Sequence, residues 1–150
     1  LLALNLEAAE KAKQSSAFKV ALEFLQVAES LLPEHSWQNT PDDALNVYKE
    51  LSEVSYLAGE YEQTEKLCQQ QIELATTINA KITLTMALIQ LLQTQMRFPE
   101  ALDAAQNALA LLDLKLPDGN GIELLKWLKV YKKDLLQDKE TNNGKSNKII

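Results

Sequence analysis

The stretch AGEYEQT, residues 58–64, joins two segments of helical apolar periodicity and sets the pattern for the rest of the chain. Gly59 is a strong helix stop, because glycine adopts the left-handed backbone conformation that other residues avoid. Tyr61 follows at the start of the next helix, and the small residue Thr64 comes three positions later. We therefore predict a tight helix–turn–helix. In it the aromatic ring fills the wedge at the turn and the small side chain lets the two helices approach closely.

The same order of residues recurs on both sides of this stretch. Phe18 and Phe98 stand where Tyr61 stands, at intervals of 43 and 37 residues. Further positions keep these intervals: Ala21, Thr64 and Ala101; Leu25, Cys68 and Ala105; Ala28, Gln71 and Ala108. The sequence thus predicts an all-α array of three antiparallel helix pairs, at about residues 2–35, 45–78 and 82–115. Neighbouring pairs must stack, because no single pair buries its apolar face alone.

Capping signals give the expected ends of the helices. Thr40 is expected to cap a helix that begins at Pro41, after a linker over residues 34–40. Asn79 is the expected cap of the fifth helix, and Ala80 beside it is expected to tolerate leucine. The wide apolar stripe of residues 121–138 predicts a C-terminal capping helix, which would complete a domain of residues 1–138. The polar residues 139–150 are predicted to be a disordered tail.

Composition excludes several classes of function. The net charge is -6, and residues 41–80 hold eight acids and two bases, which argues against a nucleic-acid partner. No apolar run approaches the roughly 18 residues that span a membrane. Cys68 is the only cysteine, so no intrachain disulfide is possible and the reducing cytoplasm fits best.

The sequence offers no catalytic or cofactor-binding motif. None of the 4 glycines belongs to a phosphate-binding loop, so we expect this chain neither to bind nor to hydrolyse ATP. His35 reads as a solvated loop histidine, and Cys68 as a small buried residue. The acids between Asp42 and Glu65 read as helix starts and a solvated face, since no calcium loop is present. Trp37 is expected to pack over the first and second repeats. No metal, cofactor or small-molecule substrate is expected.

The register resembles the tetratricopeptide repeat, a helix–turn–helix unit of about 34 residues. The first-helix positions of the family are matched by Ala8, Ala9 and Ala12, by Tyr48, Leu51, Ser52 and Ser55, and by Leu88, Ile89 and Leu92. This chain departs from the family in lacking a first-helix tryptophan, in having one terminal proline in register and in its longer intervals. The resemblance implies an α-solenoid whose first helices line a concave, protein-binding face. The groove contacts expected on that face are Lys13, Lys49, Tyr56, Met86 and Gln90.

A narrower resemblance rests on the runs LNLEAAEKAK (residues 4–13), AESLLP (28–33), YLAGEYEQ (56–63) and LLDLKLP (111–117). These runs are similar to the helical-repeat region of large, often cyanobacterial, bacterial signalling proteins. There the region stands between an AAA-type ATPase domain and sensor (GAF-type) and histidine kinase domains, often with a serine/threonine kinase-like domain as well.

Three functions remain open at this point. The chain begins within a helical pattern, without Met or a cap, so we expect a fragment of such a protein. In that case it is a non-catalytic coupling module whose partners are protein segments or neighbouring domains. The first alternative is a standalone adaptor that binds a peptide in its groove. The second is a fragment of an enzyme whose chemistry the sequence does not reveal.

Overall fold

A computed structural model describes residues 1–113 together with residues 126, 129 and 130. Within those residues the chain forms seven helices and no strand, which confirms the predicted all-α class. The helices are α1 (Leu2–Gln14), α2 (Phe18–Ser30), α3 (Ser36–Asn39), α4 (Pro41–Leu57), α5 (Tyr61–Leu74), α6 (Ile78–Thr94) and α7 (Phe98–Leu111). Residues 126, 129 and 130 are helical. The remainder of the predicted capping helix over 121–138, and the predicted tail over 139–150, lie outside the described residues.

Successive helices pack in a regular order. Helices α1 and α2, α4 and α5, and α6 and α7 each pack together across a turn of three residues. Helix α2 also packs against α4, α5 against α6, and α4 against α6. The long helices therefore contact their near neighbours along the chain, and α4 and α6 lie side by side.

The three short turns share one backbone geometry. Their second residues, Ser16, Gly59 and Met96, are all left-handed, with φ of 58°, 81° and 58°. In each turn the next N–H donates to a carbonyl five residues back: Ala17 to Ala12 at 2.9 Å, Glu60 to Ser55 at 2.9 Å and Arg97 to Leu92 at 2.8 Å. This is the Schellman arrangement, which satisfies the carbonyl groups at a helix end. The left-handed Gly59 predicted from the sequence is confirmed.

The small residues that open the second helices are buried as predicted. Ala21, Thr64 and Ala101 are at most 1% exposed, and Leu25, Cys68 and Ala105 are fully buried. The aromatic residues before them are not. Tyr61 is 39% and Phe98 is 50% exposed, so the prediction that these rings fill the wedge is wrong for both. The close approach of the helices depends on the small residues. The rings of Tyr61 and Phe98 lie at the surface, whereas Phe18 is partly buried against the cluster of the first helix pair.

Substitutions at the turns are expected to have opposite effects in the second and third pairs. Gly59→Val should cost about 1 kcal/mol or more, because a β-branched residue resists a positive φ. Met96 holds the same conformation and is 76% exposed. Met96→Gly should therefore stabilise the protein by a few tenths to about 1 kcal/mol. Urea denaturation midpoints test both changes, and shifts of the same sign would contradict this account.

Enlarging the buried small residues should destabilise the protein. Ala21→Leu and Ala101→Leu are each expected to cost about 1–3 kcal/mol by overpacking. The expectation that Ala80 tolerates leucine is wrong, because its side chain is fully buried against Trp37 and Leu84. The exposed residue Ala3 of α1 is the suitable control, and Ala3→Leu should be nearly neutral. Equal losses in thermal denaturation for Ala3→Leu and Ala21→Leu would show that close helix approach is not the cause.

Two helix starts differ from expectation. Helix α6 begins at Ile78, and Thr77, not Asn79, is its cap, since the Thr77 hydroxyl accepts a hydrogen bond of 3.1 Å from the Ala80 N–H. Thr40 is the residue before α4 as predicted, but its hydroxyl donates to the Ser36 carbonyl and does not cap the helix. Pro41 and the two acids after it start α4 without a side-chain cap.

The predicted linker contains the short helix α3, which buries Trp37. The indole stacks on Tyr48 of α4 with ring centroids 5.8 Å apart, and its Nε1–H donates to Gln71 Oε1 of α5 at 2.8 Å. The surrounding cluster includes Leu84 of α6. Trp37 thus packs on α4 and α5 of the second predicted repeat, as expected, but its other neighbours belong to α6 and not to the first repeat. The inserted helix also accounts for the longer first interval of 43 residues.

None of the helices described is long and apolar enough to cross a membrane.

Candidate functional site

A groove of about 450 Å3 lies between α4 and α6. Helix α4 contributes residues spaced three or four apart, and α6 contributes a matching stripe, as expected for one face of each helix. The groove residues are Lys49, Ser52, Glu53, Tyr56, Leu57, Thr83, Met86, Ala87, Ile89, Gln90, Gln93 and Lys129.

The groove is polar at its rim and apolar at its floor. Ser52 and Ile89 are buried, and the partly buried Met86 and Ala87 pack on the core cluster beneath α6 and α7. Gln90 and Lys49 are exposed. A partner lying here would meet amide and ammonium groups above a small apolar floor, which suits an extended protein segment with mixed side chains.

Tyr56 joins the two walls of the groove. Its hydroxyl lies 2.7 Å from the Thr94 hydroxyl of α6, and its ring lies 5.7 Å from the ring of Tyr61. Thr94 Oγ1 also donates to the Gln90 carbonyl. The tyrosine is thereby held between α4, α5 and α6, and it presents a fixed edge to the groove.

Four of the five expected groove contacts, Lys49, Tyr56, Met86 and Gln90, lie in this groove. Lys13 does not line it. The Lys13 ammonium lies 2.7 Å from Glu50, 2.9 Å from Glu10 and 3.6 Å from Glu53. Lys13 therefore ties α1 to α4 beside the groove.

The charge of Lys13 is fixed by these carboxylates. Burial disfavours the charged form, but the hydrogen bonds to Glu50 and Glu10 and the attraction of Glu53 outweigh it, so the pKa of Lys13 is raised. The cluster holds three carboxylates around one ammonium and so carries an excess of negative charge; of its members Glu53 lines the groove.

A second ion pair connects the second and third helix pairs away from the groove. Arg97, in the turn before α7, contacts Glu65 of α5 through both terminal nitrogens, at 2.7 and 3.0 Å, and also pairs with Glu100. The carboxylates of Glu100 and Glu65 raise the pKa of the Arg97 guanidinium. The Arg97 side chain is one-third exposed. Solvent screens such an ion pair, so it contributes little to the free energy of folding, but it fixes the orientation of the turn before α7.

Sequence reasoning missed several groove residues. Ala87 is four residues from Thr83 on the same helix face, so helical spacing was enough to find it. Lys129 had no such signal, because it is remote in sequence from α4 and α6. Ile89 and Ser52 were matched to first-helix positions of the repeat, and in the structure they are buried at the floor of the groove.

The residues that most resemble reactive groups have structural environments. Cys68 is fully buried, and burial raises the pKa of its thiol to about 11, so the unreactive protonated form prevails at neutral pH. His35 is exposed, in a left-handed conformation before α3. Within residues 1–113, 126, 129 and 130, no three His, Cys, Asp or Glu side chains are grouped to hold a metal ion.

No family model and no curated protein matches this chain.

Proposed function

We propose that this chain is a tetratricopeptide-like α-solenoid that binds protein segments in the groove between α4 and α6. The three turns support the repeat arrangement because they have the same length and geometry and recur in register with the repeated small residues, although the Schellman geometry itself is common at helix ends. The equal burial of residues 21, 64 and 101 supports it further. By this proposal the three pairs stack side by side, with α1, α4 and α6 as the first helices of successive repeats.

The observation that carries the binding proposal is the composition of the groove. It combines long flexible polar side chains and a methionine with an anchored tyrosine. The flexible side chains can adjust to peptides of different sequence. Ser52, a hydroxyl on the floor of the groove, donates to the backbone carbonyls of Tyr48 and Lys49 and is not paired with a base. The groove therefore favours recognition over catalysis.

The signalling role is part of the same proposal and rests on the resemblance to bacterial ATPase–kinase proteins. A stacked array transmits displacement because each pair contacts its neighbours. Standing between a nucleotide-driven domain and a sensor or kinase domain in the cytoplasm, the array would couple them without chemistry of its own. A standalone adaptor is the alternative, and the gene decides between them: an open reading frame much longer than this chain favours the coupling module.

Changing the groove is expected to abolish partner capture or alter kinase output while leaving ATP binding by the parent protein constant. The test variant combines Lys49→Ala, Tyr56→Ala and Met86→Ala, and circular dichroism of the isolated chain checks that it still folds. The matched control changes three exposed residues of the second helices to alanine: Lys66, Gln70 and Asn107.

Two results would contradict the proposal. Equal output and capture in the groove and control variants would show that the groove is not the working surface. ATP turnover by the isolated chain would show that the non-catalytic assignment is wrong.

A further inference from the structure

The first helix pair exposes a row of apolar side chains on the side of α2 that is turned away from α4. Val20 and Val27 are each 45% exposed, and Leu31 and the partly buried Phe24 share their side of the helix by helical spacing. The side that carries Leu25 lies in the core cluster that α2 shares with α4. Helix α2 is therefore apolar on two sides, and of the helices described, α1 and α4 pack on the inner one.

Helix α1 extends this apolar surface. Leu4 is 68% exposed, and Ala8 and Ala12 follow it at intervals of four residues on the same side of the helix. Ala12 and Phe24 both pack against the core cluster of the first pair, so the row on α1 adjoins the row on α2. These two rows form what we call the α1–α2 face, which is bulky along α2 and low beside Ala8 and Ala12 of α1.

The other two pairs use the corresponding positions to pack against their neighbours. At intervals of 43 and 37 residues, Leu4 and Ala8 correspond to four buried side chains: Val47 and Leu51 of α4, and Leu84 and Leu88 of α6. The two α4 residues belong to the cluster that joins α4 to the first pair, and Leu88 belongs to the cluster that contains Cys68 of α5. The α1–α2 face therefore continues a surface that serves for packing between pairs elsewhere in the chain.

The outer positions of α2 are more apolar than their counterparts. Val20 and Val27 correspond, at the same intervals, to four exposed polar residues: Gln63 and Gln70 of α5, and Glu100 and Asn107 of α7. A terminal repeat needs a polar outer face to stay soluble on its own, and a contiguous exposed apolar patch marks a site of protein contact. The α1–α2 face is thus suited to being covered by another apolar surface.

We propose that a second copy of this chain covers the α1–α2 face, through its own α1–α2 face and around a two-fold axis parallel to the helices. Each contact in such a dimer occurs twice, so the surface must be complementary to itself. The α1–α2 face meets this condition, because the bulky row of α2 in one copy lies over Ala8 and Ala12 of α1 in the other. The dimer rests on the packing of the first helix pair and not on the proposed function.

The charged residues around the face are compatible with this contact. Glu7 and Lys11 of α1 are exposed and pair with each other at 2.8 Å, and Lys19 and Glu23 of α2 are exposed as well. Each helix thus brings one acid and one base to the edge of the face, so that two copies meet without an excess of like charge.

Sedimentation velocity of the full chain over a dilution series measures the association, and the wild type should shift from monomer to dimer as its concentration rises. Combining Val20→Glu with Val27→Glu should weaken dimerisation about tenfold or more, because carboxylates without partners would be buried in the contact. The matched control combines Gln63→Glu with Gln70→Glu, which adds the same charge at the corresponding exposed positions of α5, and it should dimerise as the wild type does. Circular dichroism checks that both variants keep their helices.

A wild type that stays monomeric at every concentration would overturn the proposal, and the face would then belong to another partner. Equal association of the test and control variants would overturn it as well. The groove variant with Lys49→Ala, Tyr56→Ala and Met86→Ala should dimerise normally, so a failure of groove binding is distinguishable from a failure of dimerisation.

Cross-linking tests the arrangement of the two copies. The two-fold axis places Leu4 of one copy near Val27 of the other. Mixing Leu4→Cys with Val27→Cys and adding a short bis-maleimide should therefore give linked dimers several-fold faster than either variant gives alone. The buried, protonated Cys68 stays silent in each sample. Equal or faster linkage within the separate samples would overturn this arrangement.

Discussion

Trp37→Ala is expected to lower the free energy of unfolding by about 3–5 kcal/mol, the range for removing a large buried aromatic side chain. The indole is 4% exposed, and its loss would leave a cavity among Tyr48, Ala80 and Leu84. It would also leave the buried Gln71 side chain without its hydrogen-bond donor. Urea denaturation followed by circular dichroism measures the loss.

Two comparison variants separate the contributions. Trp37→Phe keeps an aromatic ring but removes the Nε1–H, so it should cost about 1–3 kcal/mol through the unsatisfied Gln71 oxygen and the smaller ring. Phe98→Ala removes a half-exposed aromatic side chain and should cost clearly less than Trp37→Ala. If Trp37→Ala and Phe98→Ala have equal midpoints, the short helix α3 is not part of the core.

Leu25→Ala should be the most damaging truncation in the first helix pair, at about 2–5 kcal/mol. Leu25 has no exposed surface and lies in the cluster that joins α1, α2 and α4. Cys68 occupies the corresponding position in α5 and is equally buried, but it is smaller. Cys68→Ala removes one sulfur atom and should cost only about 1 kcal/mol.

The difference between these two variants tests whether volume sets the cost at this position. Thermal and urea denaturation should rank Leu25→Ala well below Cys68→Ala. An equal loss would mean that contacts specific to each site, such as that of Cys68 with Ser52, dominate over the cavity.

Sequence alone predicted the parts of the fold that depend on local interactions. Gly59 stops its helix because of its own backbone freedom, and the small residues three positions after each aromatic mark the close helix contacts. The packing of Trp37 against α6 could not be predicted, because Leu84 is far along the chain and becomes its neighbour only when α4, α5 and α6 assemble. Ala80 was misjudged for the same reason.

The groove was partly predictable on similar grounds. Helical spacing identifies the face of α4 that carries Lys49 and Tyr56, and the face of α6 that carries Met86 and Gln90. Helical spacing does not show which polar side chains already form ion pairs with other helices. Lys13 has the right spacing, but three carboxylates hold it. Recognising this required knowing that α1 and α4 lie close enough for an ion pair.

The central position of α4 has a consequence for the order in which the protein opens. Its residues Val47, Leu51 and Val54 belong to the cluster of the first helix pair, whereas Ala44 belongs to the cluster around Trp37. Backbone amides of α4 can exchange with deuterium only when both clusters separate, so they should be among the slowest in the molecule. Helix α1 packs mainly against α2, and its amides should exchange first through local opening. Helix α1 would then unfold and refold reversibly while α4 and the two clusters that it joins stay folded, so that α1 can pack again on an intact array.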